Sequence, residues 1–192
     1  MWVADGDGRD ATDALLRQHQ IGDLVDIRRF PGSRTCPQFS QDGLAKDLQE
    51  SGIEYHWIES LGGRRPKAKD FVSPNTGLQN ESFRNYADYM LTDEFRKGIG
   101  RLKEIAEMSR TAIMCAESVF WRCHRRLVSD FWVGNGGSVQ HIYSNGETKP
   151  HKITDGAKLE DRSVTYPGQK MLFDRGVNTV QEETRYNKQG IA

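Results

Sequence analysis

The chain has 192 residues, enough for one domain with a complete core and an appended tail. Lys and Arg together number 27, as do Asp and Glu, so net charge is zero, which argues against a protein that coats nucleic acid through a generally basic surface. No apolar run approaches a membrane span, Met1-Trp2-Val3-Ala4-Asp5 lacks the features of a signal peptide, and three cysteines do not make a secreted disulfide framework.

A soluble, cytoplasmic protein with no membrane partner is therefore expected, its thiols kept for chemistry or metal. Met1 to Ala4 reads as a short strand, followed by a glycine- and aspartate-rich turn. Asp10 can cap a helix through Leu15, Leu16 and His19 that ends near Gly22. Leu24-Val25-Asp26-Ile27 reads as a strand that delivers Asp26, Arg28 and Arg29 to its carboxyl end, where ligands bind in an open parallel sheet. Phe30 to Ser40 is a loop by its two prolines and glycine, and it carries Arg34. Ser40 can cap a helix from Gln41 to Gln49, Ile53 to Ile58 is a further strand, and Leu61-Gly62-Gly63-Arg64-Arg65-Pro66 is a basic turn after it. Phe71 to Asn80, broken by Pro74 and Gly77, reads as a mobile flap over the site. Phe83, Tyr86, Ala87 and Met90 share one helical face, and a second helix from Thr92 turns Phe95, Ile99, Leu102, Ile105 and Ala106 inward.

The most informative stretch runs from Thr111 to Arg126. Thr111 to Cys115 reads as a buried strand, and Leu127, Val128, Phe131 and Trp132 then recur at helical spacing, which places the helix start at Trp121 to Arg125. An anion suits the unpaired N–H groups there, and the same field with Arg122, Arg125 and Arg126 would turn Cys115 or Cys123 toward the thiolate. Two sulfurs and an imidazole within ten residues are also three metal ligands, Cys115, Cys123 and His124, for Zn or Fe. The bland alternative is a small core cysteine and two ordinary first-turn residues. Arg28, Arg29 and Arg34, then Arg64, Arg65, Lys67 and Lys69, then Arg122, Arg125 and Arg126 form a positive basin if their loops gather at one end of the sheet.

Gly134 to Gly137 stops the helix, and Ser138 to Tyr143 is the last convincing strand. Alternating strands and helices give an α/β fold class: a single layered domain over 1–145 with a largely parallel sheet flanked by helices, then an extended tail over 146–192. In that tail, Gln169-Lys170-Met171-Leu172-Phe173 looks like the Gln-x-x-Leu-Phe peptide by which bacterial replication and repair proteins dock on the sliding clamp. Gln169 would fix register while Leu172 and Phe173 fill an apolar pocket. The alternative is that Met171, Leu172 and Phe173 cover the domain's own surface.

Val25-Asp26-Ile27-Arg28, the run from Pro31 to Phe39, Leu61-Gly62-Gly63, Phe83 to Met90, Met114-Cys115-Ala116-Glu117 and Cys123-His124-Arg125 together resemble the bacterial DUF488 family, in order from about Asp10 to Tyr143. The resemblance implies that Cys115, Glu117, Cys123, His124 and Arg125, with Asp26, Arg28 and Arg34, form the family's shared site. Members usually open with a strand ending in a Thr-Ile-Gly-His-Ser-like motif, where this chain has Val3-Ala4-Asp5-Gly6-Asp7. The layout is also similar to rhodanese-like domains, with a longer spacing from Cys115 to Arg125 than their short cradle loop. The expected function is an enzyme acting on a phosphate-bearing substrate, nucleic acid or nucleotide, in DNA maintenance. Arg28, Arg34, Arg64 and Arg125 would hold the phosphate, Cys115 would be the nucleophile or a metal ligand and Glu117 or Asp26 the acid/base. The alternatives are a metal-binding protein and a non-catalytic adaptor that joins nucleic acid to the clamp.

Overall fold

Leu24 and Val25 are both fully buried on opposite faces of strand β1 (Asp23–Asp26), because a strand with helices on both sides has no solvent face. β1 is the middle of a three-stranded sheet, flanked by β2 (Glu54–Trp57) and β3 (Thr111–Met114), both parallel to it. Asp23 lies opposite Glu54 and Thr111, and Asp26 opposite Trp57 and Met114. All three strands thus end at one level and release their loops on one side. The computed structural model describes residues 9–32, 39–117 and 119–168.

Parallel neighbours need crossovers. Helix α2 (Gln41–Glu50) supplies the first and helices α3 (Glu81–Tyr89) and α4 (Asp93–Met108) the second. One face of the sheet packs Leu24, Ala112 and Met114 against Leu16 of helix α1 (Arg9–Gln18) and Leu44 and Leu48 of α2. The other packs Val25 and Ile27 against Tyr86, Phe95, Leu102, Leu127 and Phe131, from α3, α4 and helix α5 (Arg125–Gly134). Asn80 caps α3 and Thr92 caps α4, each through its side-chain oxygen.

Helix α5 begins at Arg125, and a short 3₁₀ turn occupies Phe120–Arg122 where the sequence suggests helix. Its first N–H groups are already engaged: Arg125 N on Cys123 Sγ, Arg126 N on the Cys123 carbonyl and Leu127 N on that of His124. The anion seat expected at this helix start is therefore occupied by the chain itself. Residues 71–80 are not a flap over the cleft described below. Asn75 is fully buried there, donating to Asp88 at 2.8 Å and accepting from Tyr166 N at 2.8 Å, so the loop is pinned to α3 and to the chain's later part.

The expected last strand, β4 (Gln140–Ile142), does not join the parallel sheet; it pairs antiparallel with β5 (Thr148–Pro150) across a turn with Gly146 at φ +80. The expected boundary after 145 therefore falls inside a hairpin. A second hairpin, β6 (Lys158–Glu160) and β7 (Ser163–Thr165), turns through Asp161 and Arg162, both left-handed as a two-residue hairpin turn requires. Asp130 of α5 ties this region down. Its carboxylate accepts from His151 Nε2 (2.8 Å), Thr154 N (2.8 Å), Thr154 Oγ1 (2.7 Å) and Tyr166 OH (2.8 Å). His151 Nδ1 lies 2.9 Å from His141 Nε2, and the ring of Phe120 stacks on His141 at 3.4 Å. The early strand at Met1–Ala4, Arg34, and Gln169, Leu172 and Phe173 lie outside the described residues. Among the described residues no helix is long and apolar enough to cross a membrane.

Burial first, and His151 second, push the His141 pKa down to about 3, from an ordinary value of 6.5. As pH falls below that value the unfolded chain takes up a proton the folded chain refuses, so stability is full above it and drains away toward the lower value. Urea midpoints between about pH 7 and about pH 4 should fall more steeply for wild type than for His141→Phe; parallel slopes would remove His141 as the cause.

Candidate functional site

The end of β1 is a saturated carboxylate. Asp26 is fully buried; Oδ1 accepts from Arg28 N (2.9 Å) and Nε (2.9 Å), and Oδ2 from Arg28 Nε (2.8 Å), Arg28 Nη2 (2.5 Å) and Tyr55 OH (2.7 Å). Arg28 Nη1 reaches on to the Phe39 carbonyl at 2.8 Å, which draws the ends of the 29–39 loop together. Burial alone would lower the Arg28 pKa, but its bonds and charge interaction with Asp26 outweigh it and hold the guanidinium charged. Burial and then Asp26 push the Tyr55 hydroxyl well above its ordinary range. Asp26 does not line the cleft beyond it and has no free oxygen, so the acid/base role expected for it is corrected to that of a brace.

That cleft has a volume of about 450 Å³ and receives residues from the carboxyl-end loops of all three strands: Arg28, Arg29 and Phe30 after β1, Gly63 and Arg64 after β2, and Cys115, Glu117, Arg122, Cys123 and His124 after β3. Cys115, Cys123 and His124 are its buried floor. His124 Nε2 lies 3.1 Å from the Ile27 carbonyl, and only an N–H can pair with a carbonyl, so the proton sits on Nε2 and Nδ1 presents a lone pair. Nδ1 is 3.7 Å from Cys115 Sγ and 3.5 Å from Cys123 Sγ. A Cβ on Gly63 would stand 2.8 Å from that same Nδ1, so only glycine lets the β2 loop approach the imidazole. Tyr86 closes the far side, its ring 4.9 Å from that of His124 and its hydroxyl donating to the Leu61 carbonyl at 2.6 Å.

The two thiols differ sharply. Donation to Cys123, then burial, pushes Cys115 up to about 12. Burial also disfavours a charge on Cys123, but the Cys115 thiol donating to it and the charge and backbone N–H of Arg125 bring it down to about 7. Of the two, Cys123 is the thiol that ionises more readily, whereas the sequence puts Cys115 forward as nucleophile. Arg125 is fully buried; it donates to the Glu117 carbonyl and to Cys123 Sγ, does not line the cleft, and braces the 115–123 loop instead of holding an anion. Arg64 and Glu117 are exposed and line the cleft. Arg29 and Arg122, which the sequence marks as members of the positive basin, line it too.

The fold and this site define an α/β domain with a dithiol–imidazole cluster at the carboxyl ends of its parallel strands. The family model described as Domain of unknown function DUF488 matches residues 9–132, and the chain belongs to that family. No curated protein and no solved structure matches it. The match ends within α5, so β4 to β7, held by Asp130, lie beyond it.

Asp26→Asn should destabilise the domain by about 3–5 kcal/mol, because it leaves Arg28 buried without its counter-charge. A urea melt measures this, and a loss near zero would show that Asp26 is no brace.

Proposed function

We propose that Cys115, Cys123 and His124 hold a metal ion and that the domain is a metal-dependent enzyme acting on a phosphate-bearing substrate bound in the arginine-lined cleft. The observation that carries this reading is one imidazole nitrogen at 3.7 Å and 3.5 Å from two sulfurs. A tetrahedral ion bonded to sulfur at roughly 2.3 Å and to nitrogen at roughly 2.0–2.1 Å sets those atoms about 3.6 Å apart. The Ile27 carbonyl on the opposite ring nitrogen is the outer partner that a ligand histidine uses to hold its tautomer. Two thiolates and an imidazole suit zinc, with iron the alternative, and three protein ligands leave a position for water or substrate. The reaction class that follows is metal-assisted hydrolysis, with Arg29, Arg64 and Arg122 neutralising phosphate charge and Glu117, in the same cleft, carrying the proton.

A nucleophilic thiolate is the second reading, favoured by the lowered Cys123. Against it, Cys123 is only 2% exposed. The clamp-like motif at Gln169, Leu172 and Phe173, on sequence alone, supports a place for the enzyme in DNA maintenance at the sliding clamp.

Elemental analysis of protein purified without added metal should return about one ion per chain, and Cys115→Ser, Cys123→Ser and His124→Ala should each lose it while keeping the wild-type circular dichroism. A wild-type ratio far below one rejects the ion and leaves the thiolate reading. Separately, capture by a purified bacterial sliding clamp should be lost in Leu172→Ala/Phe173→Ala; equal capture of the variant rejects the docking motif.

A further inference from the structure

Phe30 in the cleft, and Trp121 beside the cleft-lining Arg122 in the chain, are aromatic surface that the metal reading does not use. Phe30 is 66% exposed and Trp121 is 47% exposed, although both are large apolar groups that folding would otherwise cover. Phe30 follows β1 and lines the cleft; Trp121 follows β3 and sits beside Arg122, which lines it. Each ring is thus chained to an arginine. The Arg29 guanidinium stands 5.6 Å from the Phe30 ring centre. Trp121 is held edge-on by Phe120 at 5.2 Å, and Phe120 is itself stacked on buried His141, so the exposed indole rests on a fixed support.

Charge gathers in the same cleft. Arg28 in the cleft is paired with Asp26, but Arg29, Arg64 and Arg122 line it against one carboxylate, Glu117, in a chain whose net charge is zero. In the chain after Gly63, Arg64, Lys67 and Lys69 are all exposed, as is Phe71 at 43%. Arginines alternating with open aromatic faces match a ligand that alternates phosphates with unpaired bases. A duplex offers phosphates but hides its base faces, and a free nucleotide brings a single base where two exposed rings stand on different loops.

We infer that the ligand of this cleft is single-stranded nucleic acid, with one nucleotide in the cleft and neighbouring bases stacked on Phe30 and Trp121. The inference rests on the phosphate-binding part of the proposed function and not on the ion. The strand's backbone runs over Arg29, Arg64 and Arg122, and the base in the cleft lies above the thiol–imidazole floor.

Fluorescence anisotropy with a labelled oligothymidylate of about 12 nucleotides tests this on the full chain, with an equal-length duplex and free thymidine monophosphate as competitors. The single strand should compete at least roughly ten-fold better than either, and Trp121→Ala and Phe30→Ala should each weaken binding by roughly ten-fold. Arg122→Ala should lower the slope of log affinity against log salt by about one. Duplex or mononucleotide competing as well as the single strand overturns the inference, as does wild-type affinity in both aromatic variants. Metal content is read on each sample. Bound metal without strand preference sinks this inference alone, and strand binding without metal sinks only the ion.

Discussion

One hydrogen bond organises the chemical end of the molecule: His124 Nε2–H to the carbonyl of Ile27. Its net contribution to stability is on the order of 1 kcal/mol, but it decides which ring nitrogen carries the proton. It also joins the exit of β1 to the start of α5, two elements nearly a hundred residues apart in the chain. With the ring fixed, Gly63 brings the β2 loop against Nδ1 and the β3 loop brings both sulfurs to it. Three loops from three in-register strands thus converge on one imidazole, and the register of the sheet is what makes them arrive at the same height.

Two saturated carboxylates hold that arrangement still. Asp26 gathers Arg28 and Tyr55 at the end of the sheet, while Asp130 gathers His151, Thr154 and Tyr166 on the far side of α5. A buried carboxylate with every lone pair engaged is poorly suited to proton transfer, since moving a proton onto it breaks several bonds at once. The exposed Glu117, which lines the cleft, suits that role better for the same reason. The two carboxylates differ in reach: Asp26 acts within the family's matched span, and Asp130 extends beyond it to bind the later hairpins.

Much of this was legible in sequence because its determinants are local. Short continuous apolar runs and period-3.6 patterns located β1, β3 and α2 to α4 within a residue or two, and Cys115, Cys123 and His124 stood out because they lie within ten residues of one another. What escaped is non-local or backbone-encoded. Arg125 looked like an anion ligand, since nothing in a sequence tells which arginine of a cluster faces inward. The 3₁₀ turn at Phe120–Arg122 shifts the helix start and rotates Arg125 into the core. The β6–β7 hairpin turns through Asp161 and Arg162 without the Asn-Gly or Asp-Gly signal that announces such turns. The Asp130 network spans separations of up to 36 residues, which no local pattern reports.

The floor gathers three electron-rich atoms in one buried place. The ligand atoms of Cys115, Cys123 and His124 all lie within 4.8 Å of one another, and each presents electron density toward the others. Without a positive centre between them such convergence is unfavourable in a buried site, and the protein answers it with a proton shared unequally between the sulfurs, Cys115 pushed up to about 12 and Cys123 down to about 7. Under the metal reading proposed above, one ion would bond to all three atoms. An ion would also release the proton, so its binding should weaken as the solution becomes more acidic, as for any site whose thiolates must form on loading. On that reading, the buried thiol pair, the fixed imidazole tautomer and the glycine that admits it would act together to hold a cation at the foot of the arginine-lined cleft.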